Sequence, residues 1–222
     1  LFDHEDQAII LEDDCVPDPS FFRYCTELLE RYREDVRVGM ISGNNFLRGK
    51  TVSDDSYFFS TDPRIWGWAT WSRVWKEFSK DSANRLWSDA EVELAAERIS
   101  SLRRQKAVRG MAQIVNTLDT WDLAFVLHCM HKGYLNAIPR VNLVTNIGFG
   151  AQSTHTKFES FTADVPSSHL DFPLHHPKQV ADVPEAGVLE DRVERRQWLT
   201  FPLKHPIDFA GRVLRYLRAT RI

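Results

Sequence analysis

Short apolar runs and helical stripes alternate along this chain. Ala8-Ile9-Ile10-Leu11 is a continuous apolar run that stops abruptly at Glu12-Asp13-Asp14. Its length and β-branched content predict a strand covered on both faces, as in a parallel sheet. Asp18-Pro19 then reads as an N-cap followed by proline at the first helical position. Phe21, Cys25, Leu28, Leu29 and Tyr32 recur at helical spacing, which predicts an amphipathic helix to about Arg33. Val38 to Ser42 reads as a second strand closed by Gly43-Asn44-Asn45, and Tyr57 to Ser60 as a third.

Ile65-Trp66-Gly67-Trp68-Ala69-Thr70-Trp71 is too aromatic and too interrupted by glycine for a routine element. Ser88 and Glu91 form a capping-box pattern for a helix running toward Gln105. Another helix starts near Thr120 and ends at Gly133, a C-terminal glycine cap. Strands follow at Tyr134 to Ile138 and Val141 to Val144, and Asn146 to Thr156 is a polar, glycine-bearing loop. Residues 158–206, dotted with proline and histidine, read as a wrapping tail. Residues 207–222 read as a basic helix, with Phe209, Val213, Leu214 and Leu217 on one side and Arg212, Arg215, Arg218 and Arg221 around them. The strand–helix–strand order predicts an α/β fold.

Composition adds limits more than direction. The chain has 222 residues and is 43% hydrophobic and 27% charged, values of a soluble globular protein of one domain or slightly more. A net charge of −3 argues against nucleic acid as the main partner. There is no apolar run of the ~18 residues that a membrane span needs. The three cysteines (Cys15, Cys25, Cys129) lack metal-type spacing and suit free thiols in a reducing, cytoplasmic setting, although one disulfide is compatible with their number. A strand pattern beginning almost at Leu1, with no initiator Met or signal peptide, leads us to expect a portion of a longer protein.

The chemistry concentrates at two places. Three adjacent carboxylates at a strand end repel one another, and ligands of open α/β sheets sit outside such ends. Hard divalent cations prefer carboxylate oxygens and accompany substrate phosphates, so Glu12-Asp13-Asp14 is either a cation site or a solvated acidic turn. Asp122 opens the helix that ends at Gly133; it is either a favourable charge at a helix start or a proton-accepting base. Asp119, one turn away, and Asp89 are its competitors. Trp66, Gly67 and Trp68 could form a floor for a sugar ring, whereas Trp71 and Trp75 read as core. Asn44 and Asn45 either bond a sugar hydroxyl or make a turn, and the adjacent His175 and His176 read as structural.

Ile10 to Phe22, with Glu12-Asp13-Asp14, a proline-containing link and Phe21-Phe22, resembles the metal-binding motif of GT-A glycosyltransferases. It is most similar to the N-acetylglucosaminyltransferase I type and also resembles bacterial family 2 sugar transferases. In the former, an aromatic, glycine-containing stretch precedes a Trp-Asp pair at a helix start, as Trp66-Gly67-Trp68 precedes Trp121-Asp122 here. The resemblance spans Ile9 to about Thr156 and implies a GT-A fold with residues 1–157 as its catalytic portion. It implies that Asp14 ligates Mn²⁺ or Mg²⁺, that Glu12 and Asp13 contact a nucleotide-sugar donor, and that Asp122 is the base; Asn44 and Asn45, from their own place after the second strand, are added as candidate donor contacts. Asn142 to Gly150, followed by Ser153 to Thr156, resembles the late loop of these enzymes and implies His155 as a second metal ligand. Trp121 and Asn146 lie in matching stretches and are carried over, with the aromatic floor, as substrate contacts.

The function so implied is inverting transfer of a sugar from a nucleotide-diphosphate donor to a glycan or glycolipid acceptor. A catalytically inactive carbohydrate-binding module and a metal-dependent phosphoester hydrolase are the alternatives. The sequence departs from the family in one respect: about eleven residues precede Glu12, too few for a nucleotide-binding N-terminal half. Exposed sheet-edge surface and association into a homo-oligomer are therefore expected. The basic terminal helix either packs on the domain or meets an anionic membrane surface at its inner face.

Overall fold

The computed structural model describes residues 1–82, 86–115, 121–148 and 165–204. In chain order the elements are β1 (Gln7–Ile10), β2 (Cys15–Pro17), α1 (Ser20–Arg31), β3 (Val38–Ser42), β4 (Tyr57–Ser60) and β5 (Trp68–Trp71). They continue as α2 (Ser72–Ser82), α3 (Asp89–Glu97), α4 (Leu102–Val115), α5 (Trp121–Lys132), β6 (Leu135–Pro139), β7 (Val144–Asn146) and α6 (Pro184–Lys204). Five strands form one sheet in the order β1-β5-β3-β6-β4, and β2 pairs with β7 in a separate ribbon. The protein is thus mixed α/β.

The sheet is layered between helices because its strands alternate. In β5, Ala69 and Trp71 join a core with Phe21, Cys25, Leu28 and Leu29 of α1, whereas Trp68 packs with Val74 and Phe78 of α2 and Phe125 and Cys129 of α5. In β3, Val38 and Ile41 belong to the first core and Met40 to the second. A third core joins α3, α4 and α5 through Val92, Ala96, Val108, Leu127 and Met130.

Several sequence expectations change. The sheet is not parallel: β3–β6 is a parallel pair, but β1–β5, β3–β5 and β4–β6 are antiparallel. β1 stands at one end of the strand order with all four residues half-buried, so its apolar run marks a sheet end and not a strand covered on both faces. The aromatic stretch is no irregular platform. Trp68 to Trp71 is the fully buried strand β5, inside the sheet between β1 and β3.

The helix opened by the Ser88–Glu91 capping box, which does form, ends at Glu97. A new helix begins after Ser101, whose hydroxyl accepts from the Arg104 amide while Asp191 Oδ2 accepts from the Leu102 amide. That double cap at the start of α4 replaces the single long helix.

Within the expected tail, residues 184–204 form α6, starting with Pro184 at its first position. It packs Ala186 and Leu189 onto Leu47, Phe58 and Ile138, and ionic contacts lie beside them. Glu190 is buried against Arg64 at 2.5 Å, and Arg64 also meets Asp62, which Arg104 grips through Nε and Nη2. Burial raises Asp62 toward its neutral form, but Arg104 and then Arg64 outweigh it and hold the carboxyl below its ordinary value. Residues 165–183 do wrap: Leu170 and Leu174 enter the α1 core, and Tyr57 Oη lies 2.9 Å from His176 Nδ1. The reading of His176 as structural agrees with that contact. The basic helix read at 207–222 lies outside the described residues. No described helix is long and apolar enough to cross a membrane.

Candidate functional site

The site begins where β1 ends. Beyond Ile10 the chain leaves the sheet at Leu11, and the Cys15 amide donates to the Glu12 carbonyl at 3.1 Å, turning Glu12-Asp13-Asp14 sharply into β2. That turn folds the acids onto one another, leaving Glu12 and Asp14 half-buried and Asp13 exposed. A carboxylate oxygen of Glu12, one of Asp14 and the Cys15 Sγ all lie within 4.8 Å of one another.

Asp122 reaches the same place from α5. Ile10 stands opposite Trp68 in the β1–β5 register, and the Trp121 indole stacks on Trp68 with ring centroids 6.1 Å apart. Trp121 is the first residue of α5 and Asp122 the second. Trp68 therefore links the C-terminal end of β1 to the start of α5. Electrostatics agree with this geometry. Glu12 has its pKa raised first by burial, then by the charges of Asp14, Asp122 and Asp13. Four carboxylates thus converge from two distant segments, and the amino end of α5 offers a favourable helix field there. Asp122 Oδ1 accepts from the Leu123 amide at 2.8 Å.

The donor chemistry fits a hard cation. Two partly buried carboxylates lie within bridging reach of one ion, and the like charges around Glu12 are the kind that a divalent ion relieves. Burial pushes the Cys15 pKa up to about 12, so the neighbouring thiol is protonated while no cation binds it. Sequence reasoning missed Cys15 as a member of the cluster; its place directly after the acidic triplet was the available signal.

The remaining predicted residues divide clearly. Trp68, expected to touch sugar, is 1% exposed and belongs to the core, so its part is to support Trp121. Trp121 is 41% exposed and offers an aromatic surface beside Asp122. Gly67 is required by the fold and not by a ligand. Its φ is +72°, its carbonyl accepts from the Gly43 amide, and a methyl there would meet Val144 Cγ2 at 2.7 Å. Trp66 is half-buried against the α1 core with Phe46 edge-on to it, so it is not a clear floor.

Asn45, expected as a donor contact, bonds within its own loop region. Its Nδ2 donates to the carbonyls of Pro139 and Arg140, and its Oδ1 accepts from the Leu47 amide. Asn44 is buried and donates to the Val144 carbonyl, so it too braces the loop. Asn146 is buried in β7, and its Oδ1 accepts from the Gly148 amide at 2.8 Å, again a use within the protein. His155 and Asp119 lie outside the described residues. The structure therefore brings together Glu12, Asp13, Asp14, Cys15, Trp121 and Asp122, whereas Asn44, Asn45, Gly67 and Trp68 make contacts within the fold, with Asn44 Oδ1 buried and unpartnered among the described residues.

No protein-family model and no curated protein matches this chain. Its functional reading rests on the site.

Proposed function

We propose that this protein is a metal-dependent glycosyltransferase that moves a sugar from a nucleotide-diphosphate donor to an acceptor hydroxyl with inversion. The observation that carries the reading is the approach of Asp122 to the strand-end acids, reached through Trp121 and Trp68. Asp14 and Glu12 would hold Mn²⁺ or Mg²⁺, whose charge stabilises a departing diphosphate and removes the need for a general acid. Asp13, exposed on the same turn, faces the donor. Asp122 takes the proton from the acceptor hydroxyl as that oxygen attacks the anomeric carbon, which acquires oxocarbenium character as it does in sugar hydrolysis. Trp121 presents a flat apolar face on which a sugar ring can lie while the hydroxyl meets Asp122.

The resemblance of Ile10 to Phe22 to the GT-A metal motif supports the same assignment. A phosphoester hydrolase built on two metals would want a second group of ligands; the described residues offer one, Glu12 with Asp14 and Cys15. The proposal is tested by calorimetric titration of the whole protein with nucleotide-diphosphate sugars, with and without Mn²⁺. Binding that needs the cation and is lost in Asp14→Asn supports it. Donor binding indifferent to the cation removes the role of Asp14.

A further inference from the structure

The Asp14 carboxylate is packed from the side by a segment far along the chain. The β2–β7 ribbon sets Cys15 opposite Asn146, and beyond it the Ile147 amide donates to the Asp14 carbonyl at 2.9 Å. Asn146 Oδ1 then accepts from the Gly148 amide and folds the chain back over Asp14. At Gly148 the fit leaves no room for a side chain. A methyl there would fall on Asp14 Oδ2, 2.9 Å from Asp14 Cγ and 3.1 Å from Asn146 Oδ1. The backbone at 148 does not lie in the left-handed region, so its conformation does not call for glycine. What calls for glycine is the carboxylate beside it. On the other side of that carboxylate the Cys15 thiol donates to Oδ1 at 3.6 Å.

We infer that the turn Asn146-Ile147-Gly148 is a positioning device that clamps the Asp14 carboxylate in the orientation that shares a cation with Glu12. Gly148 acts by its missing side chain and Asn146 by holding the turn, and neither needs to touch the ion. The inference rests on the metal reading of the site and goes beyond it by naming what sets the ligand's geometry. Residues that orient a ligand from behind typically govern metal affinity by 10- to 100-fold when altered. A methyl at residue 148 must push the Asp14 carboxylate out of its present position or lift the turn, and either movement changes its setting beside Glu12.

The test is Mn²⁺ binding alone, followed by the loss of the free-ion electron paramagnetic resonance signal, for the wild-type protein, Gly148→Ala and Gly110→Ala. Gly110 has open space around its Cβ position and serves as control. The expected result is roughly tenfold or greater weakening in Gly148→Ala with a metal-free melting temperature close to wild type, and wild-type affinity in Gly110→Ala with a melting temperature equal to or slightly above wild type, as expected of alanine inside α4. Wild-type protein that binds no Mn²⁺ would overturn the metal reading itself. Wild-type binding matched within about twofold by Gly148→Ala would overturn the clamp while leaving that reading standing. Should Gly148→Ala fail to fold, Asn146→Ala keeps the glycine and releases its amide; unchanged Mn²⁺ affinity in that variant refutes the device equally.

Discussion

Gly67→Ala offers a quantitative check on the claim that Gly67 serves the fold. Two penalties combine at this position. A non-glycine residue at φ +72° pays about 1–2 kcal/mol for the left-handed conformation. The new methyl would also stand 2.7 and 3.0 Å from the two Val144 methyls and 3.1 Å from Leu11 Cδ2. These neighbours sit in the β7 strand and at the end of β1, so they yield little, and overpacking of this kind costs about 1–3 kcal/mol. The sum is a loss of about 2–5 kcal/mol. In a chain of this size that corresponds to a fall in melting temperature of roughly 5–15 °C, read by circular dichroism or calorimetry. A variant melting within about a degree of wild type would refute the packing argument. Unchanged melting with abolished sugar binding would return Gly67 to the ligand-contacting role that its sequence context suggested.

Two other perturbations probe how the flanking segments are held. Asp62→Ala leaves Arg104 and Arg64 without their shared carboxylate, and breaking a buried ionic contact of this kind costs about 3–5 kcal/mol, to be measured by urea unfolding. An Asp62→Ala protein as stable as wild type would show that the two guanidinium groups do not depend on this carboxylate. His176 titrates below its ordinary value, first because of burial and then because of Arg31 and His175, against the opposing pull of Glu27. A histidine depressed in the folded state stabilises the neutral form. Its contribution is therefore present at pH well above 6.5 and is lost as pH falls from the ordinary value through the lowered one. Melting temperature should accordingly drop more between pH 7.5 and pH 5.5 in the wild type than in His176→Gln. Parallel profiles would contradict that assignment. Glu190, raised by burial, contributes in the opposite sense in both proteins and cancels in the comparison.

The parts of the fold that were legible in sequence carry strong local signals. β3 falls on the expected residues Val38–Ser42. The end of α5 is equally plain: Gly133 adopts φ +73°, its amide donates to Met130 and the Tyr134 amide to Cys129, the closing turn expected of a glycine after a helix. Asp18 does cap α1, its Oδ1 accepting from the amide and hydroxyl of Ser20. α6 was hidden because its inward face is narrow, Ala186 and Leu189 beside the acid Glu190, which gives a hydrophobic-period search little to find. β5 was hidden because Trp66-Gly67-Trp68 looks like a ligand platform, although Trp68 and Trp71, three residues apart within the strand, face two different cores as a strand demands.

The site was legible as chemistry and not as geometry. The acidic triplet at a strand end and the Trp-Asp pair at a helix start were visible in one dimension. That Trp68 would carry Trp121, placing Asp122 within the field of Glu12, is a tertiary contact with no local signature. The same holds for Asn44 and Asn45, whose amides suit a sugar or a turn equally well until the loop carbonyls that use them are located.

The proposed cation would lie among acids from the end of β1 and face the carboxylate of α5. Paramagnetic relaxation by substoichiometric Mn²⁺ measures that placement directly, because broadening of backbone amide signals falls steeply with distance from the ion. The amides of Glu12 to Cys15 and those of Asp122 and Leu123 are expected to broaden together, and Asp14→Asn is expected to abolish both effects. Broadening of the triplet with sharp signals from Asp122 and Leu123, or no selective broadening at all, would contradict the placement.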